Sequence, residues 1–348
     1  MAKRTTLNDI ARAVGVTSST VQRALNGMNG VSEEKRQEIK KAAEKMGYRG
    51  NVMAKMLHKQ SMVIAVMLPE PTYYSQRLWD GVERALSESS GFEIICHRYT
   101  YPRSLKDLTE TLEDIWNRHG KNLDGLLTMG EPDQQARGIY KRWRECGVPI
   151  FFVGTDGDPA DRVCCCRGIS EMAGRMAADL LSLSMRQDQP AKIFLTGDFS
   201  ISDQYADMMG FERTLMQDGI FCELTKLSGQ ISEEQTQKML YDRLVNERNI
   251  SAIFSTSARN TVIMCSAVEQ AGMERQVKLI GSDLFPQSRE LLSQGKLHAV
   301  IDKRPGMQAY LAAQLLINYI LWNSSPPSEI FCNPTVVTRS SVAYENNL

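Results

Sequence analysis

Within ten residues the chain gathers Thr17, Ser18, Ser19, Thr20, Gln22, Arg23 and Asn26. At helical spacing Ser18, Ser19, Gln22 and Arg23 fall on one face, and Val21, Ala24 and Leu25 on the other. An outward arginine presents the paired donors that fit the O6/N7 edge of guanine, and glutamine can read adenine by two bonds in the same way. Thr17 suits the cap of such a helix. Thr20 and Asn26, with nearby Lys and Arg, suit phosphate oxygens, contacts that fix register without reading sequence. A small helical docking module with a solvated polar face would show the same spacing.

A second polar set lies farther along, at the ends of short apolar runs. It comprises Tyr73, Tyr74, Gln76 and Arg77; Thr155 and Asp156; Ser202, Asp203, Gln204 and Asp207; Ser257 and Arg259; Asp283; and Lys303. Singly, each reads as a solvated loop residue. Together they recur at the same end of successive strands, which favours a ligand cleft. Carboxylates such as Asp156 and Asp283 suit sugar hydroxyls, since each accepts two hydrogen bonds. Arg77, Arg259 and Lys303 suit a phosphate or carboxylate instead.

Enzymatic chemistry finds little to work with. No nucleophile elbow, phosphate-binding Gly-Lys-Ser/Thr loop or His-Glu-x-x-His is present, and the four His are scattered. No catalytic group, metal or cofactor is expected. Cys164, Cys165 and Cys166 are consecutive, which suits neither disulfides nor zinc; they are expected to fill a buried strand.

The elements that must carry these groups change character near residue 61. Before it, Thr6 with Asp9 forms a capping box, and Leu7, Ile10, Ala11 and Val14 repeat at helical spacing. Gly15 supplies a left-handed turn, and Thr17 opens a helix over Ser18 to Leu25. A third helix begins at Ser32, with Glu33 and Glu34 near its positive end and Ile39, Ala42, Ala43 and Met46 as its stripe. This is a helix-turn-helix with a closing helix. From Met62 onward, short β-branched runs alternate with amphipathic helices. Strands are expected at Val63–Leu68, Phe92–Cys96, Gly125–Thr128, Ile150–Val153, Lys192–Thr196, Ala252–Ser255, Val277–Gly281 and Ala299–Ile301, with a strand-like end at Pro334–Tyr344. Helices are expected at Leu78–Ser89, Met172–Leu183 and Gln204–Gln217. Such alternation implies parallel α/β sheets, and the number of strands implies two of them.

The 348 residues carry 41 basic and 41 acidic side chains, so the chain is formally neutral. That neutrality conceals a division. Residues 1–60 hold seven Lys and five Arg against one Asp and four Glu, a surplus of seven, and the remainder is acidic by the same amount. A basic head on an acidic body suits polyanion binding confined to one part of the chain. No apolar stretch reaches membrane-spanning length, and the N-terminus lacks the apolar run of a secretory signal. A soluble protein of the reducing cytoplasm is expected.

The head resembles one known group closely. Thr6-Leu-Asn-Asp-Ile-Ala, Ala13-Val-Gly-Val-Thr17, Thr20-Val-Gln-Arg-Ala-Leu-Asn26, Val31-Ser and Met46-Gly-Tyr48 are similar to the N-terminal region of LacI/GalR transcriptional regulators, across about 55 residues. Gln22 departs from the serine usual there, which implies an altered operator preference. The following Asn51-Val-Met-Ala-Lys-Met-Leu57 is too short to be a stable helix alone. By itself Leu57 reads as a linker leucine. The resemblance implies a hinge helix formed when two subunits meet on DNA, with Leu57, and Ala54 one turn before it, at the minor groove.

The body resembles the periplasmic-binding-protein-like effector domain of the same family more loosely. Its landmarks are Gly81, Ala173-Gly174, Gly210-Phe211, Gly281-Ser-Asp283 and Lys303-Arg-Pro305. Departures cluster at the cleft. The family commonly has Arg at the position of Asp207, Asn at Ser257, Asp at Ile169 and Gln at Lys303, while Asp283 keeps the family residue. The expected organisation is an all-α helix-turn-helix head at 1–49, a hinge helix and linker at 50–61, and an α/β body of two parallel-sheet lobes at 62–348. The expected function is a repressor that binds double-stranded palindromic operator DNA as a homodimer, controlled by a small sugar, polyol or sugar derivative. A transporter's solute-binding protein and a small-molecule transferase are the rivals.

Overall fold

The computed structural model describes residues 6–25, 30–46, 61–89, 91–102, 105–131, 133–184, 191–220, 222–228, 232–247 and 249–345. Asn26, Ala54, Leu57 and the hinge segment 50–60 lie outside the described residues.

The head contains α1 (Leu7–Val14), α2 (Ser18–Leu25) and α3 (Glu33–Lys45). Thr6 and Asp9 form the expected box: the Thr6 amide donates to Asp9 Oδ2 at 2.8 Å, and the Asp9 amide to Thr6 Oγ1 at 3.3 Å. Gly15 ends α1 at φ +68°, a conformation that would strain a residue with a Cβ. Ile10, Ala11, Val14, Val21, Ala24, Ile39 and Ala43 make the core. Two cations of α3 are committed to this packing. Lys35 Nζ donates to the carbonyl of Val14 at 3.2 Å and Arg36 Nη1 to that of Ala24 at 3.1 Å, each at the negative end of a helix.

The body alternates β1 (Met62–Pro69), α4 (Tyr73–Glu88), β2 (Ile94–Tyr101), α5 (Leu105–His119), β3 (Gly125–Thr128), α6 (Gln134–Glu145), β4 (Ile150–Val153) and β5 (Cys164–Gly168). It continues with α7 (Ser170–Ser184), β6 (Ala191–Gly197), α8 (Ser202–Gln217), β7 (Cys222–Ser228), α9 (Glu233–Asn246), β8 (Ile250–Ser255), α10 (Ala258–Gln270), β9 (Lys278–Ser282), α11 (Pro286–Ser293) and β10 (Ala299–Asp302). The last elements are α12 (Pro305–Trp322), β11 (Glu329–Cys332) and β12 (Thr335–Thr338). Two six-stranded sheets result, ordered β11-β5-β4-β3-β1-β2 and β12-β10-β9-β8-β6-β7. Parallel pairing runs from β1 through β3, β4 and β5 to β11, and from β7 through β6, β8 and β9 to β10. β12 pairs antiparallel with β10 at the edge of the second sheet.

The strand order makes the chain cross between lobes three times: after β5, between β10 and β11, and between β11 and β12. Helices cover both faces of each sheet in such a fold, so central strands are apolar throughout. β3 and β4 are buried at every position. The cysteine triplet fills β5 as expected, with all three side chains fully buried. Close helix contact explains the landmark glycines. A Cβ on Gly174 of α7 would run into the Asp207 carbonyl of α8, and one on Gly210 into the Glu171 carbonyl.

Some boundaries differ from the sequence reading. α4 starts five residues before expected, at Tyr73, because Thr72 caps it and bonds reciprocally with Ser75 at 2.7 and 3.2 Å. Tyr73, Tyr74, Gln76 and Arg77 therefore stand on a helix, and so do Ser202 and Asp203 at the start of α8. The expected terminal strand ends at Thr338, where Ser341 bonds back to the Thr338 amide at 3.0 Å and turns the chain.

Candidate functional site

Two places gather chemistry, one in each unit of the chain. On α2, Val21 and Ala24 face the core, while Ser19, Gln22 and Arg23 are exposed and Ser18 half-buried. The amide of Thr20 donates to Thr17 Oγ1 at 3.2 Å, and the two threonine hydroxyls lie 2.9 Å apart, so both serve the helix start. What remains outward is a short row of donors and acceptors ending in a guanidinium.

The body's site lies where strand ends of the two lobes meet. Lys303, directly after β10, directs its ammonium to Asp207 Oδ2 at 3.1 Å and to the Thr256 carbonyl at 3.2 Å, with Asp283 Oδ2 at 3.9 Å. Its amide donates to Asp283 Oδ1 at 3.4 Å. Asp283 follows β9, Asp203 and Asp207 occupy the first turns of α8, and Thr256 follows β8. Asp283 and Arg304 hold positive φ of 63° and 57°, so two left-handed residues stand beside Lys303, one bonded to its amide and one next in the chain.

Burial dominates the electrostatics. It pushes the Asp207 carboxyl up to about 7, although Lys303 pulls the other way. Asp203 and Asp283 are raised for the same reason, with Lys303 again opposing. Burial disfavours the charge on Lys303, but Asp207, Asp283 and Asp203 outweigh it and hold the ammonium protonated well beyond the usual lysine range. Tyr74 is held protonated by burial and by the nearby charges of Asp203 and Asp283, and its hydroxyl faces Gly154.

Six buried side-chain polar atoms lack a hydrogen-bond partner among the described residues. Four of them, Arg77 Nε, Arg167 Nε, Asp207 Oδ1 and Gln308 Oε1, sit around the crossings between the lobes. Buried polar groups are nearly always satisfied in a folded protein, so this concentration marks a place arranged for something besides stability.

Of the nine cleft residues expected from sequence, the fold brings Tyr74, Asp203, Asp207, Asp283 and Lys303 into one cluster. Arg77 stands beside it but is engaged, bonding Asp302 at 2.6 and 3.3 Å across 225 residues of chain. Tyr73 bridges the lobes, stacked on Phe285 at 4.5 Å, with its hydroxyl accepting from Gln287 at 2.8 Å. Asp156 is less available than expected: Arg162 takes both its oxygens at 2.6 Å and also donates to Ser328 Oγ at 2.9 Å. Ser257 caps α10 through the Asn260 amide at 3.2 Å. Arg259 lies 3.6 Å from Glu233. Asp302, Thr256, Arg167 and Gln308 join the cluster without being among the residues expected from sequence. The strand-end rule points to the first three, while nothing local marks Gln308, whose amide donates to the Lys303 carbonyl at 2.6 Å.

Comparison with known proteins agrees with both halves. Residues 6–51 match the model for bacterial regulatory proteins of the lacI family, and residues 64–321, well over half of the chain, match that for a periplasmic binding protein domain. The chain belongs to the LacI family. Among curated LacI-type relatives, catabolite control protein A of Staphylococcus epidermidis is 27% identical over 217 residues, covering 61% of each chain. The match thus spans about three fifths of that relative's length. The HTH-type transcriptional regulator DegA of Bacillus subtilis is 26% identical over 281 residues, 77% of each chain. The body shares its fold with a periplasmic solute-binding protein of an ABC transporter from Actinobacillus succinogenes with bound D-allose. That likeness has a TM-score of 0.72 at 17% identity and covers 82% of this chain and all of the other. No helix among the described residues is long and apolar enough to cross a membrane, and no group of three metal-binding side chains is found among them.

Proposed function

We propose that this LacI-family protein is an effector-controlled transcriptional repressor acting in the cytoplasm. Residues 1–49 form its DNA-binding head, 50–61 its hinge and 62–348 its effector and dimerisation body. Two heads of a homodimer enter successive major-groove faces of a palindromic operator about one helical turn apart. Ser18, Ser19, Gln22 and Arg23 read base edges; Thr17, Thr20 and Asn26 hold the backbone; Ala54 and Leu57 act at the operator centre. The effector is a small carbohydrate-like molecule seated among Tyr73, Tyr74, Arg77, Asp156, Asp203, Asp207, Ser257, Asp283 and Lys303. Its closure of the lobes shifts the dimer between two arrangements, so effector and operator affinities change each other by the same factor.

One observation carries this reading. A helix-turn-helix with an exposed donor row precedes, in a single chain, a two-lobed body whose polar groups converge at strand ends. The allose complex of a protein with the same fold favours a second reading, a transporter's solute-binding protein. The match of residues 6–51 counts against it. Footprinting on genomic fragments separates the two. Protection of a two-fold symmetric site, altered by a sugar or polyol, is expected; protection of no fragment would leave the solute-binding reading in its place.

A further inference from the structure

The charge balance of the cleft narrows the chemistry of what it can hold. Three carboxylates, Asp203, Asp207 and Asp283, surround the Lys303 ammonium, with Arg167 acting on Asp203 and Arg77 on Asp283 from farther off. Around them Arg77 pairs with Asp302, Arg162 with Asp156 and Arg167 with Glu329, while Arg289, near Arg77 and Asp302, donates to the carbonyls of Val342 and Glu345. With all groups ionised, the carboxylates closest to Lys303 outnumber it.

The unmatched atoms agree. Asp207 is completely buried, and its Oδ1 has no donor. Gln308, 1% exposed and no part of the acidic group, likewise leaves Oε1 without a donor. Asp203 stands half-buried at the start of α8, where burial raises its carboxyl and Lys303 and Arg167 oppose. These acceptors call for a donor-rich partner. The two unmatched donors, Arg77 Nε and Arg167 Nε, suit hydroxyl oxygens.

We propose that the effector carries an ammonium group on a hydroxyl-bearing frame, as an amino sugar does, and that Asp203 selects it. An ammonium offers three donors and supplies a missing positive charge. A phosphate or carboxylate would bring a further negative charge into a site that already has an excess. A neutral sugar satisfies the hydroxyl contacts but leaves the charge uncompensated. The proposal rests on the effector cleft described under Proposed function and specifies the class of molecule it accepts. As it binds, the ammonium favours the ionised forms of carboxyls that burial keeps raised.

Calorimetric titration of the full-length protein tests this with matched sets: glucosamine, galactosamine and mannosamine; glucose, galactose and mannose; glucose 6-phosphate and glucuronate. One amino sugar is expected to bind about tenfold or more tightly than its neutral counterpart, the margin of one hydrogen bond to a charged group. The two anions are expected not to bind. In Asp203→Asn the ratio of amino-sugar to neutral-sugar affinity should fall to near parity, and Asp203→Glu should retain it. Parity in the wild type, tighter binding of an anion, or an Asp203→Asn protein that keeps the preference would overturn the proposal and leave the carbohydrate reading standing. Binding by no member of the panel, with or without operator DNA, would overturn both.

Discussion

The two recognition regions treat their polar groups in opposite ways. On α2, Ser19, Gln22 and Arg23 face outward, while Lys35 and Arg36 of α3 are spent on helix ends. In the body, Asp207, Asp283 and Lys303 face inward and mostly bind one another. A surface that reads a stiff external polymer can hold its groups in water until the partner arrives. A cleft for a small molecule must hold its charges away from water, and only mutual pairing makes that tolerable. Stability is therefore expected to be insensitive to the exposed residues of α2 and sensitive to the buried charges around Lys303.

The largest effect should come from Lys303→Met, which leaves Asp207 and Asp283 buried without their cation. A loss of about 3–5 kcal/mol in denaturant unfolding at pH 8 is expected. A loss below about 1 kcal/mol would mean that the cleft is not held by this pair. In the head, Arg23→Ala should relax discrimination at one operator base pair by about 1–3 kcal/mol, with stability changed by no more than about 0.5 kcal/mol. An equal loss on every sequence would assign Arg23 to phosphate instead.

Proton linkage sharpens the contrast. Burial raises Asp207 in the folded body to about 7, from a starting value of 3.8. Its stabilising contribution is thus fully present below about pH 4 and is lost as pH rises through about 7. Asp207→Asn, neutral throughout, should gain on the wild type by about 1–3 kcal/mol between pH 5 and pH 8. A difference that does not change with pH would place the proton elsewhere. The smallest effect belongs to the head's scaffold. Lys35→Met, which removes the bond to Val14, should cost about 0.5–1.5 kcal/mol in thermal unfolding and leave sequence discrimination intact.

The same contrast governs what the sequence discloses. The head is legible because its signals are local: Thr6 with Asp9, a left-handed Gly15, and apolar residues three and four apart. In the body, strands buried on both faces announce themselves as apolar runs. β7, Cys-Glu-Leu-Thr-Lys-Leu-Ser at a sheet edge, does not, because alternation with charged residues hides it. The early start of α4 is hidden because Thr72-x-x-Ser75 caps with serine where acidic or amide side chains are usual. The ends of strands locate the cleft, but not its pairings. Lys303 and Asp207 are 96 residues apart and Arg77 and Asp302 225, so only the completed fold shows which charges are already matched.

If the head binds operator DNA under control of the body, operator binding as a function of salt tests that coupling of roles most directly. Band-shift titration of the full chain against genomic fragments should yield one symmetric site. Its affinity should fall linearly with salt on logarithmic axes, by about 0.9 per phosphate neutralised. The contrary result is an absence of retardation by any fragment, or binding that does not change with salt.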